Sequence, residues 1–289
     1  MKLDGRRQST NVEDRRGNSV GKMAGGVGIG GIIIFLIVKF LGGDLSTGDL
    51  STVTEQLGSQ ETVTTDYTPT AQEQEFEKFA RQILASTEDV WTAVFEKNGM
   101  KYQLPKLVLF KGKVQSGCGS ATSSVGPFYC SADQCLYLDL DFFNEMEKEL
   151  GAKGDFAQAY VIAHEVGHHI QNLLGTLNEA HSAMAKMSEA ESNKMSVRIE
   201  LQADFYAGVW GYYENQAFNS LEDGDLEEAI NAAQKIGDDY LQKQAGYRQI
   251  KSDLFTHGTS AQRMRWLKKG LTTGDLNLGD TFSCSYDSL

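Results

Sequence analysis

Two histidines and a glutamate near the middle of the 289-residue chain could bind and use a metal ion. Residues 164–168 read His-Glu-Val-Gly-His. If these residues lie in one helix, His164 and His168 share a face, with their Cβ atoms about 5–6 Å apart. Two imidazoles at this spacing can bind one Zn²⁺ ion at about 2.0–2.1 Å. Glu165 lies about 100° around the helix, where its carboxylate can take a proton from a zinc-bound water.

A catalytic zinc site has three protein ligands and one open position, so a third ligand is needed. A metzincin would place a histidine six residues after His168, and this chain has Leu174 there. The predicted helix from Met195 to Asn215 offers Glu200 instead, with Asp204 one turn later on the same face. We predict that Glu200 binds zinc and that Asp204 accepts the N–H of a ligand histidine.

Other third ligands stay open at this point. Glu189 and Glu191 are rivals of Glu200, but they stand in a polar stretch without an equivalent of Asp204. A cysteine ligand, as in deformylases, is the chemical alternative. Oxidising surroundings would make a cysteine ligand less available.

The motif requires a helix that carries both histidines on one face, and the flanking residues suit its two ends. Asp155, with Gln158 three residues later, resembles a capping box, and Gly175 suits the position just after the helix. This helix and the one that carries Glu200 both contain small residues, which would let them pack closely: Ala163, Gly167, Ala203, Ala207 and Gly211.

The rest of the domain is predicted from periodicity. Apolar residues recur with helical spacing from residue 76 to 95 and indicate a helix that ends near Asn98. Residues 141–150 and most of the chain after Gly154 are also predicted to be helical. Three short runs rich in apolar and aromatic residues are predicted strands: 106–110, 125–129 and 136–140. This order predicts an α+β fold, a mainly helical zincin-like domain with a small β-sheet.

The N-terminal part of the chain predicts a membrane anchor. No charged residue occurs from Met23 to Val38, and a helix of about 20 apolar residues crosses a bilayer. Residues 23–43 reach that length if Lys39 extends its ammonium to the interface. Residues 1–22 contain six Lys and Arg residues, so the positive-inside rule places this basic tail in the cytoplasm. A buried core helix is the alternative for the apolar segment.

We therefore predict a single-pass protein of the bacterial inner membrane, with its catalytic domain periplasmic or otherwise extracytoplasmic. Residues 44–70 are rich in small and polar residues and are predicted to be a flexible linker to the domain at 71–289. A cleaved signal peptide is the competing interpretation. Residues 41–44 lack the small-residue pattern of its cleavage site, which favours an uncleaved signal-anchor.

The overall composition excludes several classes of protein. Forty per cent hydrophobic and 23% charged residues are typical of a globular chain rather than a disordered one. The net charge of −12 and the lack of a dominant basic stripe argue against nucleic-acid binding. Four cysteines in 289 residues are too few for a scaffold built on disulfides.

These motifs together resemble the bacterial putative neutral zinc metallopeptidase family, the YpfJ-like proteins. The resemblance spans nearly the whole chain. The segments that carry it are residues 5–7, 12–16, 126–130, 137–140, 142–143, 164–171, 200–204 and 256–263. The resemblance implies a gluzincin-like site with one zinc ion per chain and a peptide or protein substrate.

Two late residues are further candidates for the site. By analogy with related membrane gluzincins, His257 and Arg263 could stabilise the tetrahedral oxyanion of the substrate. The alternative for His257 is a helix-capping or surface position. His169 directly follows the second ligand but points about 100° away from it, so a structural or surface role is expected.

The cysteines lie in the part of the chain predicted to be extracytoplasmic, where disulfides form. Four cysteines allow three pairings, and the residues alone leave the choice open. The family resemblance implies that Cys118 pairs with Cys130, which leaves Cys135 with Cys284.

The sequence thus predicts a membrane-anchored zinc metallopeptidase. His164, His168 and Glu200 bind the zinc ion, and Glu165 acts first as general base and then as proton donor. Two alternatives remain. One is a catalytically silent, peptidase-like module that holds zinc and recruits a partner at the membrane. The other is a zinc hydrolase that acts on a non-peptide amide.

Overall fold

Helices dominate the computed structural model of the protein, which describes residues 1–17 and 67–289. The helices in the described residues are α1 (Ala71–Lys97), α2 (Asp141–Leu150), α3 (Asp155–Leu173), α4 (Thr176–Met184), α5 (Glu189–Phe218), α6 (Asp225–Lys235), α7 (Asp238–Gln244) and α8 (Ser260–Thr273). The strands there are β1 (Val12–Asp14), β2 (Lys106–Phe110), β3 (Lys113–Ser116), β4 (Gly119–Thr122), β5 (Phe128–Cys130) and β6 (Cys135–Asp139). A mainly helical domain with a small sheet agrees with the sequence-based prediction.

The main sheet has four strands in the order β1-β2-β6-β5. Strand β2 pairs in parallel with β1 and β6, whereas β5 runs antiparallel to β6. Strands β3 and β4 form a separate antiparallel hairpin. Four of the five residues of β2 and all five of β6 are buried, because helices and the hairpin cover both faces of these central strands.

Helix α3 carries the His-Glu-Val-Gly-His motif and is largely buried in the core. The predicted capping box at Asp155 is wrong. The N-cap position is occupied by Gly154, which has no side chain that could cap the helix. The carboxylate of Glu228 in α6 instead accepts the N–H of Phe156 in the first turn. At the other end, Gly175 has a φ of 83°, which suits its predicted place just after the helix.

Helix α5 packs between α3 and α8, and glycines let the three backbones approach closely. A Cβ atom added at Gly167 of α3 would lie 2.8 Å from the carbonyl oxygen of Ala203 in α5. A Cβ atom at Gly208 of α5 would lie 2.3 Å from the carbonyl oxygen of Leu267 in α8. Neither position can hold a larger residue unless the helices move apart.

Residues 1–17 fold onto the domain and supply part of its core. Strand β1 adds an edge to the sheet, and the N-terminal ammonium group of Met1 pairs with Asp155 at the start of α3. The guanidinium of Arg6 binds the fully buried carboxylate of Glu214 in α5 at 2.6 Å. We call residues 1–17 the N-terminal strap.

The membrane topology predicted from the sequence is wrong. In residues 1–17 and 67–289, no helix is long and apolar enough to cross a membrane. The transmembrane helix predicted for residues 23–43 lies outside the described residues. Because the N-terminal strap and the rest of the domain fold together, they cannot lie on opposite sides of a bilayer.

This result corrects three parts of the sequence-based prediction. They are the fold class with an N-terminal transmembrane helix, the partnership with a membrane through that helix, and the single-pass location with an extracytoplasmic catalytic domain. The contacts of the strap provide the physical reason for the correction, since they place the N-terminus in the same domain as the His-Glu-Val-Gly-His motif.

Candidate metal centre

Three side chains from two helices meet in one cluster. His164 and His168 lie one turn apart on α3 and face Glu200 on α5. The Nε2 atom of His164 lies 3.1 Å from Oε2 of Glu200, and Nε2 of His168 lies 3.6 Å from Oε1. Three possible ligand atoms, one from each side chain, lie within 4.8 Å of one another. We call these three residues the metal cluster.

The distances in the metal cluster suit a tetrahedral zinc ion. Ligand atoms at about 2.0–2.1 Å from a tetrahedral zinc lie roughly 3.3 Å from one another. The two nitrogen–oxygen distances above, each to a different oxygen of Glu200, lie on either side of this value. Two imidazoles and one carboxylate are also the ligand set of known catalytic zinc sites. The residues present therefore fit a zinc ion.

The close approach of α3 and α5 sets these distances. Gly167 directly precedes His168, and Ala203 lies about one turn after Glu200. Because Gly167 has no side chain, the backbone of α5 can lie against α3 at Ala203. Glu200 can therefore reach both histidines from a neighbouring helix.

Asp204 lies below the metal cluster and contacts one of its histidines. Its Oδ1 atom lies 2.8 Å from Nδ1 of His164, as expected of an acceptor that fixes the histidine ring. The hydroxyl of Tyr160 donates to the same oxygen at 2.6 Å. Asp204 is fully buried.

Arg263 also binds Asp204, which differs from its predicted role at the substrate oxyanion. Its Nε atom donates to Oδ2 of Asp204 and one of its terminal nitrogens donates to Oδ1, both at 2.9 Å. That nitrogen also contacts the hydroxyl of Tyr160, and the other terminal nitrogen donates to the carbonyl of Ile236. All three nitrogens of the guanidinium are thus engaged by protein groups. The arrangement makes Arg263 a support of Asp204, and its predicted contact with the substrate stays a prediction.

Charge interactions shift the pKa values of this network strongly. Burial alone would lower the pKa of His164, but the carboxylates of Asp204 and Glu200 raise it to about 10. Burial would raise the pKa of Glu200, but His257 and the two histidines of the cluster lower it well below its usual range. The carboxylate of Glu200 thus carries its charge, and a proton occupies His164 where a metal ion would bind.

Glu165 lies beside the metal cluster rather than in it, as the motif predicts. It is half-buried, and burial raises its pKa although His168 and His164 oppose the shift. The main-chain N–H of Tyr129 in β5 also opposes the shift, because it favours the ionised carboxylate. A carboxylate whose pKa is raised is a better proton acceptor than an exposed one.

His257 reaches the same place from the loop before α8. Its Nε2 atom lies 3.8 Å from Oε2 of Glu200, and its side chain is partly exposed. The main-chain N–H of His257 donates to Oδ2 of Asp238 at 2.8 Å. The structure therefore brings His257 to the edge of the metal cluster, as its predicted role requires.

The remaining candidate residues lie elsewhere. His169 is fully buried and bridges the carbonyl of Gln103 and the hydroxyl of Tyr129, which fits the expected structural role. Glu189 and Glu191, the rival ligands, are exposed at the start of α5. Glu191 caps that helix and is not part of the metal cluster.

One disulfide bond is present in the described residues. Cys118 and Cys130 are bonded, so the β3–β4 hairpin is fastened to β5. Cys135 and Cys284 are free, so the second disulfide that the family resemblance implied is not formed. The thiol of Cys135 instead contacts the carbonyl of Asp133, whereas Cys284 lies beside Arg198. The alternative of a cysteine zinc ligand finds no support in the metal cluster.

A cleft of about 520 Å³ opens above the metal cluster. Strand β5 and the residues before it line one side, and α4 and α5 line another. Most of the lining side chains away from the cluster are apolar, among them Val125, Phe128, Phe142, Leu177, Met184 and Ile199.

Sequence reasoning missed two polar residues of this region. Tyr160 lies four residues before His164, so its position on the metal-facing side of α3 could have been predicted from helical spacing. Asp238 gives no such signal, because it reaches His257 from a helix that is distant in sequence.

The comparisons with known proteins give one family model and several uncharacterized relatives. The sequence model of the family described as "Putative neutral zinc metallopeptidase" matches residues 1–282. The uncharacterized protein YpfJ of Escherichia coli K12 is 49% identical over 291 aligned positions, which cover 99% of this chain and 100% of the relative. The uncharacterized protein Rv2575 of Mycobacterium tuberculosis is 43% identical over 194 positions, or 64% of each chain. No solved structure shows significant similarity to the chain.

Proposed function

The chain belongs to the putative neutral zinc metallopeptidase family, and we propose that it hydrolyses peptide bonds with one zinc ion bound by His164, His168 and Glu200. The observation that carries the proposal is the metal cluster with Glu165 beside it. Three side chains that could bind one zinc ion and a separate carboxyl group of raised pKa line the same open cleft, which supports the proposal.

Glu165 moves the proton in the proposed reaction. A bound zinc ion lowers the pKa of water to about 7 and polarises a carbonyl group. The carboxylate of Glu165 accepts a proton from the attacking water, whose oxygen bonds to the carbonyl carbon of the substrate. Glu165 then gives this proton to the leaving nitrogen as the carbon–nitrogen bond breaks. The products are a carboxylate and an amine.

His257 supports the charge that develops during this reaction. Its Nε2 atom lies 3.8 Å from Oε2 of Glu200, and its side chain lines the cleft. An imidazole N–H at this place can donate to the oxyanion of the substrate. Arg263 acts one layer below, where it holds Asp204 and through it the ring of His164.

The substrate proposed for this cleft is a peptide or protein segment with bulky apolar side chains. Burial of one large apolar side chain against the lining is worth about 1.5–3 kcal/mol. The apolar residues on both sides of the metal cluster could bind such side chains next to the scissile bond.

Hydrolysis of internally quenched peptides by the purified full chain tests the proposal, with the variant Glu165→Gln as the decisive comparison. Glu165→Gln should keep its zinc, because Glu165 is not a ligand, and should lose at least about 100-fold in kcat. Glu189→Gln, at an exposed glutamate, serves as the control and should behave as the wild type. Equal cleavage by wild type and Glu165→Gln would contradict the mechanism. Bound zinc without cleavage of any peptide would favour a binding module instead.

A further inference from the structure

The loop that carries His257 is fastened by two aspartates at the start of α7. The Oδ2 atom of Asp238 accepts the N–H groups of His257 and Gly258 at 2.8 and 2.9 Å. The N–H of Asp238 donates in turn to the carbonyl of Gly258. Asp239 accepts both the N–H and the hydroxyl of Ser260. The main chain of this loop is therefore held in place on both sides of Gly258.

The second carboxylate oxygen of Asp238 has no such explanation. Asp238 is only 2% exposed, and its Oδ1 atom makes no hydrogen bond of normal geometry with the described residues, while the main-chain N–H of Thr256 also favours the ionised carboxylate. A buried polar atom without a partner is costly and rare in folded proteins. The same Oδ1 atom lies 3.9 Å from Nδ1 of His257, on the side of the ring away from Glu200.

We propose that Asp238 is a positioning residue for His257, with its Oδ1 atom as the acceptor of the Nδ1–H of that histidine in the working enzyme. A shift of about 1 Å brings the two atoms to hydrogen-bond distance. The inference rests on the proposed function, because it concerns the residue that faces the substrate in the cleft.

This hydrogen bond would fix both the orientation and the tautomer of His257. In a neutral imidazole only one of the two nitrogens carries a proton, and the hydrogen bond made by the other nitrogen decides which one it is. Nδ1 of His257 now lies 2.8 Å from the hydroxyl of Thr256, which could either accept from it or donate to it. Burial raises the pKa of Asp238 to about 7, so its carboxyl is ionised above neutral pH. The ionised carboxylate can only accept, so contact with it requires a proton on Nδ1 and keeps Nε2 turned toward the metal cluster.

Peptide hydrolysis by Asp238→Asn in the full, zinc-loaded chain tests this role. We expect kcat to fall by about 10- to 100-fold, as for other residues that orient an active-site histidine, with KM and zinc content nearly unchanged. Asp239→Asn is the matched control, because Asp239 helps to hold the same loop through Ser260, whereas Asp238 contacts His257 itself. This control should stay within about threefold of the wild type, as expected of a residue outside the reaction.

A double variant separates positioning from a general structural effect. In a His257→Ala background, Asp238→Asn should cause no further loss of kcat, because the residue through which it acts is gone. The same loss in both backgrounds, or wild-type kcat in Asp238→Asn, would overturn the proposal.

Nuclear magnetic resonance of the zinc-loaded wild type with ¹⁵N-labelled histidine gives a test that does not depend on activity. We expect Nδ1 of His257 to carry a proton. An unprotonated Nδ1, as when Thr256 donates to it, would overturn the proposal even if peptide hydrolysis is observed. Because the hydroxyl of Thr256 could also accept from Nδ1, the same spectrum of Asp238→Asn decides between the two acceptors. Nδ1 should lose its proton in that variant, and a spectrum unchanged from the wild type would overturn the proposal. Loss of the proton without any hydrolysis by the wild type would count against the proposed function and leave the contact with Asp238 supported.

Discussion

At the scale of single residues, Asp204 connects the metal cluster to the core. Its carboxylate is hydrogen-bonded to His164, Tyr160 and Arg263, at distances between 2.6 and 2.9 Å. A fully buried carboxylate is tolerated only when it is paired and hydrogen-bonded, and these three partners satisfy both conditions. Arg263 holds the pKa of Asp204 down to about 2 against the effect of burial, so Asp204 keeps its charge beside His164.

This network predicts that zinc binding releases a proton near neutral pH. In the metal-free protein the pKa of His164 is about 10, so its ring is protonated at pH 7.5 and must lose a proton before Nε2 can bind zinc. Calorimetric titration with zinc in two buffers of different ionisation enthalpy measures this release. In Asp204→Asn the released fraction should fall and the zinc affinity should drop by about 10- to 100-fold.

Asp239→Asn is again a suitable control for the titration, since Asp239 contacts Ser260 at the start of α8 and no residue of the metal cluster. It should match the wild type in both proton release and affinity. Zinc binding by the wild type without any proton release at pH 7.5 would contradict the charge state assigned to His164.

The residues that could be predicted from sequence are those whose positions follow from helical spacing. His164, Glu165 and His168 lie within one turn or so of one another, and Asp204 lies one turn from Glu200. The role of Arg263 could not be predicted in this way. Its contact with Asp204 depends on how α8 packs on α5, and spacing within one helix contains no information about that packing.

At the scale of elements, the separation of α3 and α5 decides whether the metal cluster can form. The missing side chain at Gly167 allows Ala203 to lie against it. The sequence-based prediction that small residues let these two helices pack closely agrees with the structure. The β3–β4 hairpin is not among the strands predicted from the sequence.

Gly167→Ala should therefore damage both stability and metal binding. The new Cβ atom would lie 2.8 Å from the carbonyl oxygen of Ala203, so the helices must separate. Overpacking of this kind costs about 1–3 kcal/mol in the free energy of unfolding. Glu200 would move away from the histidines with α5, and zinc affinity should fall as well.

Urea unfolding and zinc titration of Gly167→Ala provide the measurements. Gln158→Ala introduces the same residue at a half-buried position of α3 and serves as the control. It should change the free energy of unfolding by less than about 1 kcal/mol, as is usual away from tightly packed positions. If Gly167→Ala and the control were equally stable and bound zinc equally well, the close approach would not matter for the site.

At the scale of the whole molecule, the N-terminal strap joins the sheet and the buried ion pairs of the domain. Its polar sequence was interpreted as a separate tail, because three residues of an edge strand give almost no periodic signal. The contacts that hold it depend on residues more than 70 positions away, such as Glu88 and Glu214. Such contacts cannot be read from local patterns.

The buried pair of Arg6 and Glu214 gives a test of the strap. Arg6→Ala removes the charged partner of the fully buried Glu214 carboxylate and leaves it the hydroxyl of Ser86, which is neutral. We expect this to lower the free energy of unfolding by about 3–5 kcal/mol. Arg15→Ala removes a half-exposed pair with Glu13 and should cost less than about 1 kcal/mol. Urea unfolding of both variants measures the difference. Equal stabilities would mean that the strap is not part of the folded core.

The zinc content of the purified full chain tests the central claim most directly, with His164→Ala and Glu200→Ala measured beside it and Glu189→Gln as the control. The account predicts about one zinc per chain in the wild type and in Glu189→Gln, and loss of that zinc in the other two variants. The full chain is required, because the N-terminal strap is part of the domain. A wild type without zinc, or zinc that is undisturbed in Glu200→Ala, would contradict the assignment of the metal cluster.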